Sequence, residues 1–357
     1  MRSSHRIKTL CTASTLALFV AAAPALADDG SLGFEKYQPA SQDMTKPGEF
    51  KKQGPYKIAF ALPGLFSTWL VQQAEEAKQE ASLHPEIAQL VVISSDNAER
   101  QASDLEDQIT KGVDAIVISP VSANAVNAQI EKAVAKGIPV VTFSTNASTD
   151  KVTTAVLSGG ERVGEIMGDY LKKQLGGKGS VWAFRGIAGN SEDTERFDGL
   201  TKAIKGTDLK VTSQVYAEWN YAKGKENCEN LVLSGQPVDG VWASGGEMSR
   251  GCIEVFQEVG KELVPMTGEG NNGFLRAAKD SGLKFVATTY PPTMGPAGVR
   301  AALALLKGES LHRSYWANII QITDQNIDQY YRPELNDSYW VDSTLPEAKL
   351  QQLYKKN

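Results

Sequence analysis

The sequence predicts an α/β protein built from two similar units in tandem, each a parallel sheet covered by helices on both faces. Three observations predict it. Strand and helix patterns alternate with little interruption from Tyr56 to Ile322. The strands are short, nearly continuous apolar runs, as parallel strands buried on both faces are. The alternation also runs twice, with a break after Leu157.

The chain opens with a segment that precedes the fold. Arg2, Arg6 and Lys8 stand before an apolar run from Leu10 to Ala23, and Ala25-Leu26-Ala27 reads as a cleavage signal. This is the pattern of a secretory signal peptide over residues 1–27, with export to the periplasm and cleavage after Ala27. The apolar run is shorter than the ~20 residues a bilayer span needs. Asp28 to Pro55 is polar, interrupted by Pro39, Pro47, Gly48 and Gly54, and reads as an extended arm.

Tyr56 to Leu62 is the first strand, a turn through Gly64-Leu65-Phe66-Ser67-Thr68-Trp69 follows, and a helix runs over Thr68 to Ser82. The turn sets two aromatics and two hydroxyls at the carboxyl end of a strand, where open α/β sheets tend to hold ligands. Ser67 and Thr68 also suit the helix N-cap. Strands follow at Gln89–Ser94, Val113–Ser119, Ile138–Ser144 and Val152–Leu157, with helices at Glu99–Lys111 and Asn124–Lys136. Lys111-Gly112 and Lys136-Gly137 are helix stop signals.

In the second unit Val163, Ile166, Met167, Tyr170 and Leu171 mark a helix by their spacing, ended by Gly176-Gly177. Strands at Ser180–Phe184, Lys210–Ala217, Val238–Ala243, Val264–Thr267 and Lys284–Thr289 alternate with helices at Asp193–Lys205, Lys223–Leu233, Met248–Val259 and Asn272–Ser281. A last apolar helix, Ala297–Lys307, and a strand at Asn318–Ile322 are expected to return to the first unit. The first lobe is therefore 56–157 with 291–322, and the second is 158–290 with 323–357. Three chain crossings, near Leu157, Tyr290 and Thr323, make a hinge. The tail carries Tyr330, Tyr331, Tyr339 and Trp340, read as rings that pack it onto a lobe in preference to a binding platform.

Composition narrows the function. Formal charge is −5, and loss of the three basic residues of the leader takes it to −8. An acidic chain without a basic run is a poor nucleic-acid binder. No dinucleotide G-x-G-x-x-G follows the first strand, and neither a P-loop nor a G-x-S-x-G elbow occurs. His84 and His312 sit in polar joints, so no metal site is called and no cofactor is expected. These absences argue against an enzyme. Cys228 and Cys252 lie in helices flanking the strand Val238–Ala243, where a disulfide and two buried thiols are both open.

Several stretches together resemble a type I periplasmic substrate-binding protein of the ribose-binding family. They are the opening strand and aromatic turn, Gly112-Val113-Asp114-Ala115-Ile116-Val117-Ile118-Ser119-Pro120, Gly137-Ile138-Pro139-Val140-Val141, and Gly164-Glu165-Ile166-Met167-Gly168-Asp169-Tyr170-Leu171. Gly186-Ile187-Ala188-Gly189-Asn190-Ser191, Glu195-Arg196-Phe197 and Gly246-Glu247-Met248 complete the set. The resemblance implies two Rossmann-like lobes joined by the three-crossing hinge, in a monomer that binds a sugar or polyol and presents it to an ABC permease. Carried over position by position, it implies that Phe66, Ser67 and Trp69 stack on or bond the ligand. Ser119, Arg196 and Trp219 match further cleft positions. Ser144 and Thr145 stand where sugar binders usually carry an Asp-Arg pair, and Gly245 where an Asn is common. Glu269 or Asn271 fills the place of an Asp, and Thr289 or Tyr290 that of a Gln. These departures remove groups that bond sugar hydroxyls bidentately, so pentose specificity is not implied. A periplasmic sensor handing its ligand to a chemoreceptor or membrane kinase is the alternative to an importer component.

Overall fold

The computed structural model describes residues 37–356; the signal peptide read at 1–27 and the start of the arm lie outside them. Two sheets carry the chain. The first is formed by β1 (Tyr37–Pro39), β2 (Tyr56–Leu62), β3 (Ile87–Ser94), β4 (Ala115–Ile118), β5 (Val140–Phe143), β6 (Thr154–Leu157) and β12 (Ser314–Ala317). Its order is β1-β12-β6-β5-β4-β2-β3, parallel except for β1. The second is formed by β7 (Lys178–Arg185), β8 (Asp208–Tyr216), β9 (Gly240–Ala243), β10 (Met266–Glu269), β11 (Phe285–Thr288) and β13 (Gln321–Thr323). Its order is β13-β11-β10-β9-β7-β8, parallel except for β13.

Strand alternation decides which layer each side chain joins. In β2, Ile58, Phe60 and Leu62 enter the core under α1 (Thr68–Ser82) and α9 (Met294–Lys307). Ala59 and Ala61 face the opposite core, under α2 (Ala98–Thr110) and α3 (Asn127–Ala135). With α9 packed on β2, β4, β5 and β6, the chain returns to the first sheet after β11.

The second sheet is flanked by α4 (Gly160–Gln174), α5 (Ser191–Ile204), α6 (Tyr221–Leu233), α7 (Gly246–Glu258) and α8 (Asn272–Ser281). Glycines let α4 and α5 meet backbone to backbone. A Cβ on Gly164 would lie 1.8 Å from the Arg196 carbonyl oxygen, and one on Gly199 would lie 2.2 Å from that of Glu161. This contact seats α5, and with it the side chain of Arg196. Cys228 on α6 and Cys252 on α7 are bonded, with Cα atoms 5.3 Å apart, and both are fully buried. Neither should react with a thiol reagent in unreduced, denatured protein; labelling at either would refute the bond.

Two assignments of segments to lobes differ from the sequence reading, and the tail packs on the second core as read. The strand expected at Asn318–Ile322 is replaced by two, β12 before it and β13 over its end, and the third crossing falls at residues 318–320 rather than near Thr323. Tyr315 and Ala317 are buried in the first core and Ile322 in the second, so the link between them has to cross. The arm pairs its Tyr37–Pro39 with β12 and buries Tyr37 and Phe50 in the first core. The tail adds a 3-10 turn at Ile327–Gln329 and α10 (Glu347–Tyr354), and buries Tyr339, Val341, Leu345, Leu350 and Tyr354 in the second core.

Candidate functional site

The loops at the carboxyl ends of both sheets close around one cavity of about 270 Å³. The first sheet supplies Phe66, Ser67 and Trp69 after β2, Ser119 after β4, and Ser144 and Thr145 after β5. The second supplies Arg196, Trp219 and Glu269, and Tyr290 comes from the crossing after β11. Ten of the sequence-derived candidates therefore meet in one place. Ser67 also caps α1, its Oγ accepting from the Leu70 N–H at 3.3 Å. Phe66 is half exposed at the rim. Trp69 is fixed by its indole N–H, which donates to the Tyr290 carbonyl at 2.8 Å. The Tyr290 hydroxyl in turn meets Ser144 Oγ at 3.1 Å, so one tyrosine ties the hinge to the first lobe.

At the base of the second lobe lies a buried charge cluster. Arg196, 2% exposed, donates from Nε to Glu192 Oε1 at 2.8 Å and from Nη1 to the Ser244 carbonyl. Nη1 also lies 2.8 Å from Glu269 Oε1, although that oxygen has no aligned hydrogen-bond donor. The guanidinium sits 4.3 Å from the Tyr290 ring centre and 5.7 Å from that of Trp219. Burial alone would lower the Arg196 pKa, but Glu269 and Glu192 outweigh it and hold it raised. Burial pushes the Glu269 carboxyl from 4.5 up to about 7, with Arg196 only partly opposing it.

The pH consequence has a definite sign. A carboxyl whose folded pKa is raised binds its proton more tightly in the folded state than in the unfolded one. Its contribution to stability is present below about 4.5 and is lost as pH rises through about 7. Glu76, Glu195 and Glu247 are shifted upward by burial too, but they remain in a Glu269→Gln variant. The melting temperature of the wild type should therefore fall relative to that variant between pH ~5 and ~8. Parallel curves would refute the assignment.

Trp219 occupies a slot between two glycines. A Cβ on Gly186 would lie 2.2 Å from the indole Cζ2, and one on Gly245 would lie 2.8 Å from its Cδ1. The indole N–H donates to Ser244 Oγ at 3.1 Å. Gly245 is thus corrected from a lining residue to a backing residue: it does not line the cavity, because the Trp219 indole lies against it. Asn271 is corrected as well. Its Oδ1 caps α8 by accepting from the Phe274 N–H at 3.1 Å, and its Nδ2 donates to the Asp337 carbonyl at 2.8 Å. Fully buried behind β10, it does not reach the cavity, and Glu269 is the member of the pair that does.

The sequence reading did not place Glu192, Asn190 and Asp96 in the cavity and preferred packing to binding for Trp340, yet all four line it. Glu192 stands four residues before Arg196, a spacing that permits an ion pair on one helix face, and the structure buries that pair. Asn190, as the α5 cap, was legible from its place before an acidic first turn. Trp340 was visible in the sequence only as one of the tail's clustered rings. Among the described residues no group of acids, histidines or cysteines is arranged to hold a metal ion.

Comparison with known proteins matches residues 58–310 to the periplasmic binding protein domain family. The ribose import binding protein of Bacillus subtilis is 28% identical over 269 residues, spanning 75% of this chain and 88% of that protein. A xylitol-binding protein of Mycolicibacterium smegmatis is 29% identical over 66% of this chain and 68% of its own length. Among solved structures, an ABC transporter solute-binding protein of Bacillus halodurans with bound myo-inositol superposes with a TM-score of 0.73 at 24% identity, covering 78% of this chain and 98% of that one. A galactofuranose-binding protein gives 0.71 at 22%, covering 77% and 97%. The two-lobed fold is shared with these structures.

Proposed function

The chain belongs to the periplasmic binding protein domain family, and from that premise we propose that it is the exported solute-binding component of an ABC importer, capturing a neutral sugar or polyol between its lobes. It is a binding protein and not an enzyme, as its relatives are. The observation that carries the ligand class is the lining of the cavity. Phe66, Trp69, Trp219 and Tyr290 offer flat apolar faces, while Ser67, Ser119, Ser144 and Thr145 offer hydroxyls. The one arginine among the lining residues is already paired with two carboxylates. An anionic ligand would find no free cation there and would meet Glu192 and Glu269, so a neutral, hydroxyl-rich molecule with an apolar face fits best. The ribose, xylitol and myo-inositol named for the relatives are of this kind.

The mechanism proposed is capture by closure about the three crossings. A ligand that touches both lobes favours the closed form by its differential affinity for the two states. Thr68 Oγ1 on α1 reaches Glu247 Oε1 on α7 at 3.0 Å, a contact between the two lobes that supports this reading. The closed pair of lobe surfaces would then be offered to the permease in the periplasm, after removal of residues 1–27.

A thermal-shift screen of neutral sugars and polyols beside sugar acids tests this reading. Ligand at ~100 times its dissociation constant should add roughly 2.7 kcal/mol to stability. The best neutral ligand should also reduce the radius of gyration in X-ray scattering. Stabilisation by sugar acids alone, or binding without compaction, would overturn the reading.

A further inference from the structure

We infer that Trp340, carried by the C-terminal tail, is a ligand-contacting residue that sets specificity, and that α1 holds it in place through a polar clasp. The inference rests on the binding function proposed above. Trp340 lines the same cavity as Trp69 and Trp219, yet it lies beyond residue 310, outside the stretch matched by the family. It is therefore a wall that the matched domain does not itself supply.

The clasp is built from buried polar groups. The Trp340 N–H donates to Gln72 Oε1 at 2.9 Å, and Gln72 Nε2 donates back to the Trp340 carbonyl at 2.9 Å. The indole N–H donates to Thr68 Oγ1 at 2.8 Å. Four residues on, Thr344 donates to Glu76 Oε2 from its hydroxyl at 2.8 Å and from its N–H at 3.2 Å. Gln72 and Glu76 are fully buried on α1, where an unpaired amide or carboxylate would be costly. The tail satisfies them.

The same segment is anchored on the second lobe. The Val341 N–H donates to the Gly270 carbonyl at 2.8 Å, and the Asn272 N–H to that of Tyr339 at 2.8 Å. Tyr339 and Val341 are buried in the second core. Trp340 thus stands between two anchors with its backbone bonded on both edges and its ring tip bonded at Thr68. With the lobes closed, a ring held in this way limits the size of what fits. Thr68 and Gln72 act through it as positioning residues.

The test uses the mature full chain, with D-ribose, xylitol and myo-inositol titrated calorimetrically into the wild type, Trp340→Ala, Trp340→Phe and Thr68→Val. Trp340→Ala should weaken the best wild-type ligand by at least about tenfold and change the ranking of the three. Trp340→Phe, which keeps a ring but loses the N–H, should lose less affinity, and Thr68→Val should shift the ranking in the same sense. Unchanged affinities and ranking in a folded Trp340→Ala variant would overturn the inference while leaving the binding function intact. If Trp340→Ala does not fold, Trp340→Phe and Thr68→Val decide on the same criterion. Failure of all three compounds to bind the wild type would overturn the neutral sugar or polyol reading, and this inference with it.

Discussion

Arg196→Met is expected to destabilise the ligand-free protein by about 3–5 kcal/mol and to abolish ligand binding. Among the described residues the guanidinium is the only cation paired with Glu192 and Glu269, and both acids are buried with it. Methionine fills a similar volume but leaves two carboxylates facing each other in the second lobe, and it frees the Ser244 carbonyl that Arg196 caps. The loss should shrink at low pH, because the Glu269 carboxyl, raised to about 7, takes up its proton as pH falls and then needs no cation. Arg196→Lys should recover only part of the stability. A lysine keeps the charge but has no planar fork to serve Glu192, Ser244 and Glu269 together. Urea denaturation of the three proteins at pH ~5 and ~8 measures this; equal stability of the wild type and Arg196→Met would show that the cluster is not electrostatically coupled.

Gly186→Ala is expected to weaken ligand binding by about thirtyfold or more, while costing about 1–3 kcal/mol of stability. The new methyl would fall 2.2, 2.3 and 2.5 Å from three indole atoms of Trp219, so the ring must leave its slot. The backbone offers little relief, because Glu218 and Trp219 both already occupy the left-handed region, at φ 55° and 50°. A displaced indole either blocks the cavity or vacates its wall, and both outcomes lower affinity. The double variant Gly186→Ala/Trp219→Ala separates the two effects. It should recover the stability lost to crowding but not the binding, a non-additivity expected of residues in direct contact. Additive losses in stability would mean that the indole does not fill the slot.

Much of the fold was legible in the residues. Helices such as Asn272–Ser281 were readable to the residue, because cap residues and apolar spacing act within a few positions of one another. The turn Phe66-Ser67-Trp69 and the residues ending β4 and β5 could be assigned to a cleft, since the ends of parallel strands converge. Asn271 and Glu269 could not be told apart. They are two positions apart on one segment, and only the register of β10 against α8 turns Glu269 inward and makes Asn271 a cap. Gly245 stood as a departure with no partner until Trp219 was seen to fill its space.

The sequence by itself determined the alternation of strand and helix, the doubling of the α/β unit and the aromatic turn, because these follow from local propensity and periodicity. Only the tertiary structure decided that Arg196 is a buried ion-pair centre, that the last crossing falls at residues 318–320, and that Trp340, bonded to Gln72 of α1 268 residues away, joins the cavity. Those outcomes depend on which surfaces meet. A tryptophan in an irregular tail carries no periodic signal of what it will face, and a buried charge is tolerated only where chain segments distant in sequence bring its partners.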